Sequence, residues 1–121
     1  MSTAVHDVEL ATMDVVAAFN EAFNRHDAEA LRALVTDDCV FVDTAPPDGI
    51  RHEGAAAASA AFEWLFMQSP QAHFEASVVV VAGDHLVQTW RYAWSDGHVD
   101  GVDLIRVRDG RVSEKRAYVK G

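Results

Sequence analysis

Two aspartates lie on predicted strands at positions where a charged side chain is unusual. Asp43 shares its strand face with Cys39 and Phe41, and Asp103 shares its face with Ile105. Burial disfavours a charged carboxylate unless it is paired or hydrogen-bonded. Two carboxylates that open into one cavity could have separated pKa values, so that one acts as a base while the other stays protonated as a donor. The pair therefore predicts proton-transfer chemistry.

Each aspartate also has a purely structural interpretation. Asp43 directly precedes Thr44 and a proline-rich turn, where Asp often caps backbone amides. Asp103 lies in the middle of a strand and could pair with Arg91 or Arg116 across the sheet.

Aromatic side chains could line a cavity near these carboxylates. Trp90, Tyr92 and Trp94 alternate along one predicted strand and so share a face. They either fill the core or present flat surfaces to a cyclic apolar ligand. The predicted lining of the ligand pocket comprises Phe19, Phe23, Phe41, Trp64, Trp90, Tyr92, Trp94 and Tyr118.

The sequence offers little for metal, cofactor or covalent chemistry. The histidines are scattered without ligand spacing, so no metal site is expected. No G-x-S-x-G elbow, P-loop or G-x-G-x-x-G occurs, and Cys39 has no nucleophile signature, so no cofactor is expected. His52 and His98 could transfer protons if they face the cavity; otherwise they are surface residues.

Composition and charge restrict the partners and the compartment. A net charge of −9 disfavours nucleic acid and anionic membranes. Cys39 is the single cysteine and no signal peptide or spanning segment is evident, which predicts a cytoplasmic protein without a disulfide. A length of 121 residues fits one domain, spanning 1–121.

The order of elements predicts an α+β fold. Helical spacing covers 8–23, 28–34 and 54–68, whereas strands are predicted at 39–43, 50–53, 74–82, 85–94, 98–108 and 111–120. Helices followed by an antiparallel meander indicate a sheet covered on one face, and the favoured dipeptide Asp109-Gly110 joins its last two strands. If three helices cover only part of a curved sheet, a cavity remains between the layers.

The other face of the sheet also carries apolar side chains. In the third long strand, Val102 and Leu104 alternate with the Asp103 face. Homodimerisation through this face would cover them.

Two stretches resemble the nuclear-transport-factor-2-like superfamily, specifically its SnoaL-like and ketosteroid-isomerase-like members. They are 23–43, which contains Phe-Asn-Arg-His-Asp, and the terminal hairpin 102–112. The resemblance implies a cone-shaped fold of three N-terminal helices on a curved, mainly antiparallel sheet. It also implies that Asp43 is the general base and that Asp103 is a protonated donor to the substrate oxyanion.

The resemblance is incomplete at one position. The oxyanion-binding tyrosine of the isomerases is replaced by Phe19, so a second donor would have to come from Tyr92, Tyr118 or an indole N–H. Three functions therefore stay open: a cofactor-independent isomerase or cyclase acting on an apolar carbonyl compound, a ligand-binding or accessory module without chemistry, and a structural dimer with a filled core.

Overall fold

The computed structural model describes residues 3–120, with side chains from residue 6 onward. The three described helices are α1 (Thr3–Asn24), α2 (Ala28–Ala33) and α3 (Ala55–Gln68). The six described strands are β1 (Val35–Val42), β2 (Arg51–Glu53), β3 (His73–Ala82), β4 (His85–Trp94), β5 (Gly97–Arg108) and β6 (Arg111–Val119). The predicted α+β architecture is confirmed.

All six strands form one curved, unclosed sheet in the order β2-β1-β6-β5-β4-β3. Strands β3 to β6 form an antiparallel meander, and β1 joins it by pairing in parallel with β6. Register shifts interrupt β1 against β6, β3 against β4 and β5 against β6. Such irregularities bend strands and increase their twist, which produces the concave face that the helices cover.

The helices cover that face through amphipathic or small side chains. Val16, Phe19 and Phe23 form the buried stripe of α1 at helical spacing. Asp27 caps α2, since its carboxylate accepts a hydrogen bond of 3.0 Å from the amide of Ala30. The first half of α3 is mainly alanine, and Phe62 and Phe66 enter the core from its second half.

Two elements, α1 and β1, begin a full turn or several residues earlier than the sequence pattern predicts, whereas the starts of the other elements lie within one residue of the prediction. Helix α1 starts at Thr3, and its side chains at 6–8 are exposed, so this part of the helix needs no apolar stripe. Strand β1 starts at Val35, which pairs with Val112, whereas the pattern suggested a start at Cys39. The polar residues 36–38 hide this start because they lie where the register against β6 shifts.

The β5–β6 turn follows the prediction from its sequence. Asp109 and Gly110 have φ angles of 54° and 76°. A two-residue hairpin loop with both φ angles positive matches the twist of the strands, and Asp-Gly is well suited to it. The turn pairs Arg108 with Arg111, and the register shift between Arg106 and Val107 then places Ile105 opposite Lys115 and Asp103 opposite Ala117.

Candidate active site

A cavity of about 1230 Å³ lies between the helices and the concave face of the sheet. Its lining is mainly apolar, and alanines of α3 form much of the helical wall because their small side chains leave room. Five lining residues carry groups that can exchange protons with a ligand: Asp43, His52, Tyr92, Asp103 and Lys115. The first two are partly exposed, whereas the last three are buried.

Asp43 occupies the position where β1 ends and the loop to β2 begins. Its Oδ1 accepts hydrogen bonds from the amides of Ala45, at 3.0 Å, and Ile50, at 2.7 Å. Its Oδ2 lies 3.0 Å from Nε2 of His52. Asp43 therefore holds the proline-containing loop in place, as the capping interpretation predicted, and also borders the cavity.

These hydrogen bonds change the acidity of Asp43. Burial acts to raise its pKa, but the hydrogen bonds from His52 and from the amides of Ile50 and Ala45 outweigh burial and lower the pKa below its ordinary value of 3.8. Asp43 is consequently a carboxylate at neutral pH.

His52 lies on β2 opposite Phe41 of β1. The two rings stack with centroids 5.6 Å apart and planes inclined by 19°. Nε2 faces Asp43, and within residues 3–120 no hydrogen bond is present at the other ring nitrogen, Nδ1. A carboxylate and a stacked aromatic ring thus fix the orientation of the imidazole.

Asp103 belongs to a buried polar network that links three elements. Only 1% of Asp103 is exposed, and its Oδ2 accepts a 3.0 Å hydrogen bond from Nε2 of Gln88 on β4. Gln88 in turn exchanges two hydrogen bonds, of 2.8 and 3.1 Å, with Asn20 of α1. Oδ1 of Asp103 is buried and has no hydrogen-bond partner within the described residues.

Lys115 of β6 is the second charged residue at the buried end. It is 4% exposed, and its Nζ lies 3.9 Å from Oδ2 of Asp103. Burial lowers the pKa of Lys115 below its ordinary value of 10.5, although the nearby Asp103 acts in the opposite direction. The proposed pairing of Asp103 with Arg91 or Arg116 was wrong, because Arg91 binds Asp100 and Arg116 binds Glu114.

The structure brings together most of the aromatic residues predicted to line the pocket. Those that border the cavity are Phe23, Phe41, Trp64, Trp90, Tyr92 and Trp94. Phe19 is instead fully buried in the core against Phe23 and Phe62. Tyr118 is opposite Val102 on the outer face of the sheet and is 56% exposed, because period-2 alternation turns it away from the Asp103–Ala117 side.

The cavity has two hydrogen-bond donors that could replace the missing tyrosine, the hydroxyl of Tyr92 and the indole N–H of Trp90, and they differ in whether they already have a partner. The hydroxyl of Tyr92 is 2.7 Å from Oγ of Ser69, and burial raises its pKa. The indole Nε1 of Trp90 is buried and has no partner among the described residues. Three donors were considered in place of the tyrosine that Phe19 replaces. Tyr92 already bonds Ser69 and Tyr118 lies on the outer face, which leaves the indole N–H of Trp90. His98 does not border the cavity.

Sequence reasoning missed Lys115, Gln88 and Asn20. A signal for Lys115 exists in β6, where Glu114 and Arg116 alternate with it and share the solvent-facing side. On the opposite side, Lys115 shares a face with Ala117, which pairs with Asp103. A lysine between small residues on the inward face of a strand indicates a buried amine.

No group of three or more His, Cys, Asp or Glu side chains is arranged to hold a metal ion in the described part of the chain. Among the described helices, none combines the length and the apolar character needed to cross a membrane.

Comparison with known proteins identifies the family. The SnoaL-like domain profile matches residues 16–115, and the chain belongs to this family, within the nuclear-transport-factor-2-like (NTF2-like) superfamily. An NTF2-like protein of unknown function from Mesorhizobium loti is 39% identical, with a TM-score of 0.83 over 93% of both chains. No curated protein sequence matches significantly.

Two other solved structures show the same fold at lower identity. A proposed SnoaL-like polyketide cyclase from Jannaschia sp. CCS1 is 20% identical, with a TM-score of 0.82 over 93% of this chain and 88% of that one. A proposed ketosteroid isomerase from Kribbella flavida is 18% identical, with a TM-score of 0.80 over 93% and 80% of the two chains. At these identities the likeness concerns architecture and leaves the reaction open.

Proposed function

We propose that the protein binds an apolar carbonyl compound in the cavity and moves a proton next to its carbonyl group without a cofactor, as an isomerase or cyclase. The observation that carries this proposal is that one mainly apolar cavity has titratable groups at both its more exposed part and its buried part. An acid–base pair, Asp43 and His52, lies at its more exposed part, and Asp103 lies at its buried part, with apolar walls between them.

The pair Asp43–His52 supplies the proton-transfer group. The Asp43 carboxylate accepts hydrogen bonds from the amides of Ala45 and Ile50 and from His52, and its pKa is lowered, which weakens it as a base. His52, oriented by that carboxylate, presents Nδ1 for proton exchange. If His52 takes up the proton, the Asp43 carboxylate stabilises the imidazolium that forms; if Asp43 takes it up directly, the carboxylate itself is neutralised.

The buried end supplies groups that can bind the carbonyl oxygen. The indole N–H of Trp90 is a donor without a partner in the described chain, and Oδ1 of Asp103 becomes a donor when protonated. Donors aimed at the developing oxyanion contribute about 2.7–4 kcal/mol each to transition-state stabilisation in well-studied enzymes. The Trp90 N–H would replace the donor that Phe19 lacks.

A proton-exchange experiment tests the reaction. The probe is 2-tetralone, a flat bicyclic ketone with acidic hydrogens beside its carbonyl, and NMR in D₂O follows the loss of those hydrogens. The protein should accelerate exchange, and Asp43→Asn should reduce the acceleration by about 10²-fold or more. Asp48→Asn, in the same loop but exposed and outside the cavity, is the matched control. Equal exchange rates for wild type and Asp43→Asn would refute the assignment.

A second candidate function is ligand binding without chemistry. It is favoured by one observation: Asp43 accepts three hydrogen bonds that hold its own loop, which is a sufficient structural role. In this case 2-tetralone stabilises the protein against thermal unfolding, exchange is not accelerated, and Asp103→Asn leaves the dissociation constant unchanged.

We also propose that the protein forms a homodimer through the outer face of the sheet. The support is a cluster of exposed apolar side chains on adjacent strands, namely Val78, Val80, Val87, Val102 and Tyr118. Contiguous apolar patches on soluble domains commonly mark interfaces. Sedimentation should give a dimer for the wild type and a monomer for Val80→Lys/Val102→Lys. A monomeric wild type at micromolar concentration would disprove the dimer.

A further inference from the structure

The amine of Lys115 lies where a bound ligand can reach it. The residue borders the cavity although only 4% of its surface is exposed, so its access to solvent is through that cavity. Among residues 3–120, Nζ makes no hydrogen bond, and its one ionic neighbour is Asp103 at 3.9 Å. The chain has one other lysine, Lys120, which is exposed.

The surroundings of this amine are aromatic. Nζ lies 4.5 Å from the ring centroid of Phe23 and 5.0 Å from that of Phe19. Three more phenylalanine rings, those of Phe41, Phe62 and Phe74, have centroids between 5.6 and 6.0 Å away. Such rings attract an ammonium ion weakly but cannot replace the hydrogen bonds that water provides.

We infer that Lys115 is a nucleophilic amine that condenses with the carbonyl group of an aldehyde or ketone held in the cavity, giving a Schiff base. The inference rests on one part of the proposed function, namely that a carbonyl compound occupies the cavity. It does not require proton transfer by Asp43 or His52.

Desolvation supports the nucleophilic form of the amine. Burial lowers the pKa of Lys115, which increases the fraction of unprotonated amine at neutral pH, while Asp103 opposes this effect. A desolvated lysine in an apolar pocket is a recognised way to activate an amine for Schiff-base chemistry. Cys39 is the other titratable group close to Lys115, and burial raises the pKa of its thiol to about 11, so it stays protonated.

The step balances with groups that are present. The Lys115 ammonium gives one proton to Asp103, and the free Nζ electron pair attacks the carbonyl carbon while the carbonyl π electrons move to oxygen. Transfer of a second proton from nitrogen to that oxygen gives a neutral carbinolamine. Asp103 returns its proton to the hydroxyl, water leaves as the C=N bond forms, and a protonated imine remains beside the Asp103 carboxylate. Addition of water reverses the sequence.

Reductive trapping tests the inference. The full chain is incubated with 2-naphthaldehyde and sodium cyanoborohydride, and intact-mass measurement with peptide mapping locates the reduced adduct. This aldehyde has no hydrogen on the carbon beside its carbonyl, so labelling is independent of proton abstraction. We expect one adduct on Lys115, with more label there than on Lys120, because burial lowers the pKa of Lys115 and so raises its free-amine fraction.

Matched variants sharpen the assignment. Lys120→Arg should keep the adduct, because Lys115 is then the sole lysine, whereas Lys115→Arg should lose it. Mapping on the wild type keeps the test valid even if Lys115→Arg fails to fold. Label confined to Lys120 or the N-terminal amine, or equal label on both lysines, would overturn the inference.

Binding without reduction separates the two proposals. Calorimetry with 2-naphthaldehyde alone reports whether the cavity takes a carbonyl compound. Binding without an adduct overturns the Schiff base and leaves the proposed proton transfer intact. Absence of both binding and adduct overturns the two together, and an adduct with no acceleration of 2-tetralone exchange supports Lys115 while refuting the role of Asp43.

Discussion

Nζ of Lys115 and Oδ2 of Asp103 are 3.9 Å apart on adjacent strands. Only 4% of the surface of Lys115 and 1% of that of Asp103 is exposed. Opposite charges at this depth stabilise each other, but both lose the hydration they had in the unfolded chain. Replacing one partner alone should therefore lower the free energy of unfolding by more than its share of the loss when both are replaced.

A double-mutant cycle measures this dependence. Lys115→Met should lower the free energy of unfolding by about 3 kcal/mol, because it leaves the buried carboxylate of Asp103 without its charge partner. Lys115→Met/Asp103→Asn should lose less than the sum of the two single variants, as measured by urea unfolding. Additive losses would show that the two side chains do not interact.

Alkaline pH should favour the folded state through Lys115. Its pKa is lowered on folding, so between that value and 10.5 the unfolded chain holds a proton that the folded protein has released. The free energy of unfolding therefore rises with pH in this window. Urea titrations should show that the stability gap between wild type and Lys115→Met widens toward pH 10.5.

The comparison with Lys115→Met also controls for other groups that titrate in this range. Cys39, with its pKa raised to about 11, acts in the opposite direction in both proteins, and burial, the largest cause of that shift, is common to the two. A gap that stays constant with pH would mean that the pKa of Lys115 is not lowered.

Acid should remove the stabilisation contributed by Asp43. Its folded pKa is below the ordinary 3.8, so its contribution is complete above that value and is lost as the pH falls through the folded pKa. Asp43→Asn should lower the free energy of unfolding by about 1–3 kcal/mol at neutral pH, and its difference from the wild type should shrink in acid. Thermal unfolding across the acid range measures it, with Asp48→Asn as the unaffected control.

Filling the cavity from its helical wall should block ligand binding without unfolding the protein. Ala61 of α3 borders the cavity, and Ala61→Phe would place a ring in that space. Binding of 2-tetralone, measured by calorimetry, should weaken at least roughly tenfold, while overpacking costs about 1–3 kcal/mol of stability. Ala56→Phe, on the exposed side of the same helix, should bind like the wild type.

The sequence predicted the architecture well because local signals determine it. Helical spacing, the Asp109-Gly110 turn and period-2 alternation predict which elements form and which face of β5 carries Asp103. The parallel pairing of β1 with β6 was not predicted, since it joins residues far apart in the chain and no local pattern encodes it. That pairing brings Phe41 next to Lys115.

The site was harder to predict than the fold. The interaction of Asp43 with His52 depends on how the loop 44–50 closes, and the burial of Lys115 depends on five aromatic rings from four elements. Tyr118 was wrongly assigned to the pocket. Ala117 pairs with the inward-facing Asp103, so Tyr118, the next residue along β6, must face outward.

The chain carries three tryptophans, Trp64, Trp90 and Trp94, and all three border the cavity. Indole emission responds to nearby polarity and to quenching groups, and here no indole lies elsewhere to dilute the signal. The intrinsic fluorescence of the unlabelled protein should therefore change when a ligand binds between the helices and the sheet. Libraries of unmodified compounds can be screened by this signal.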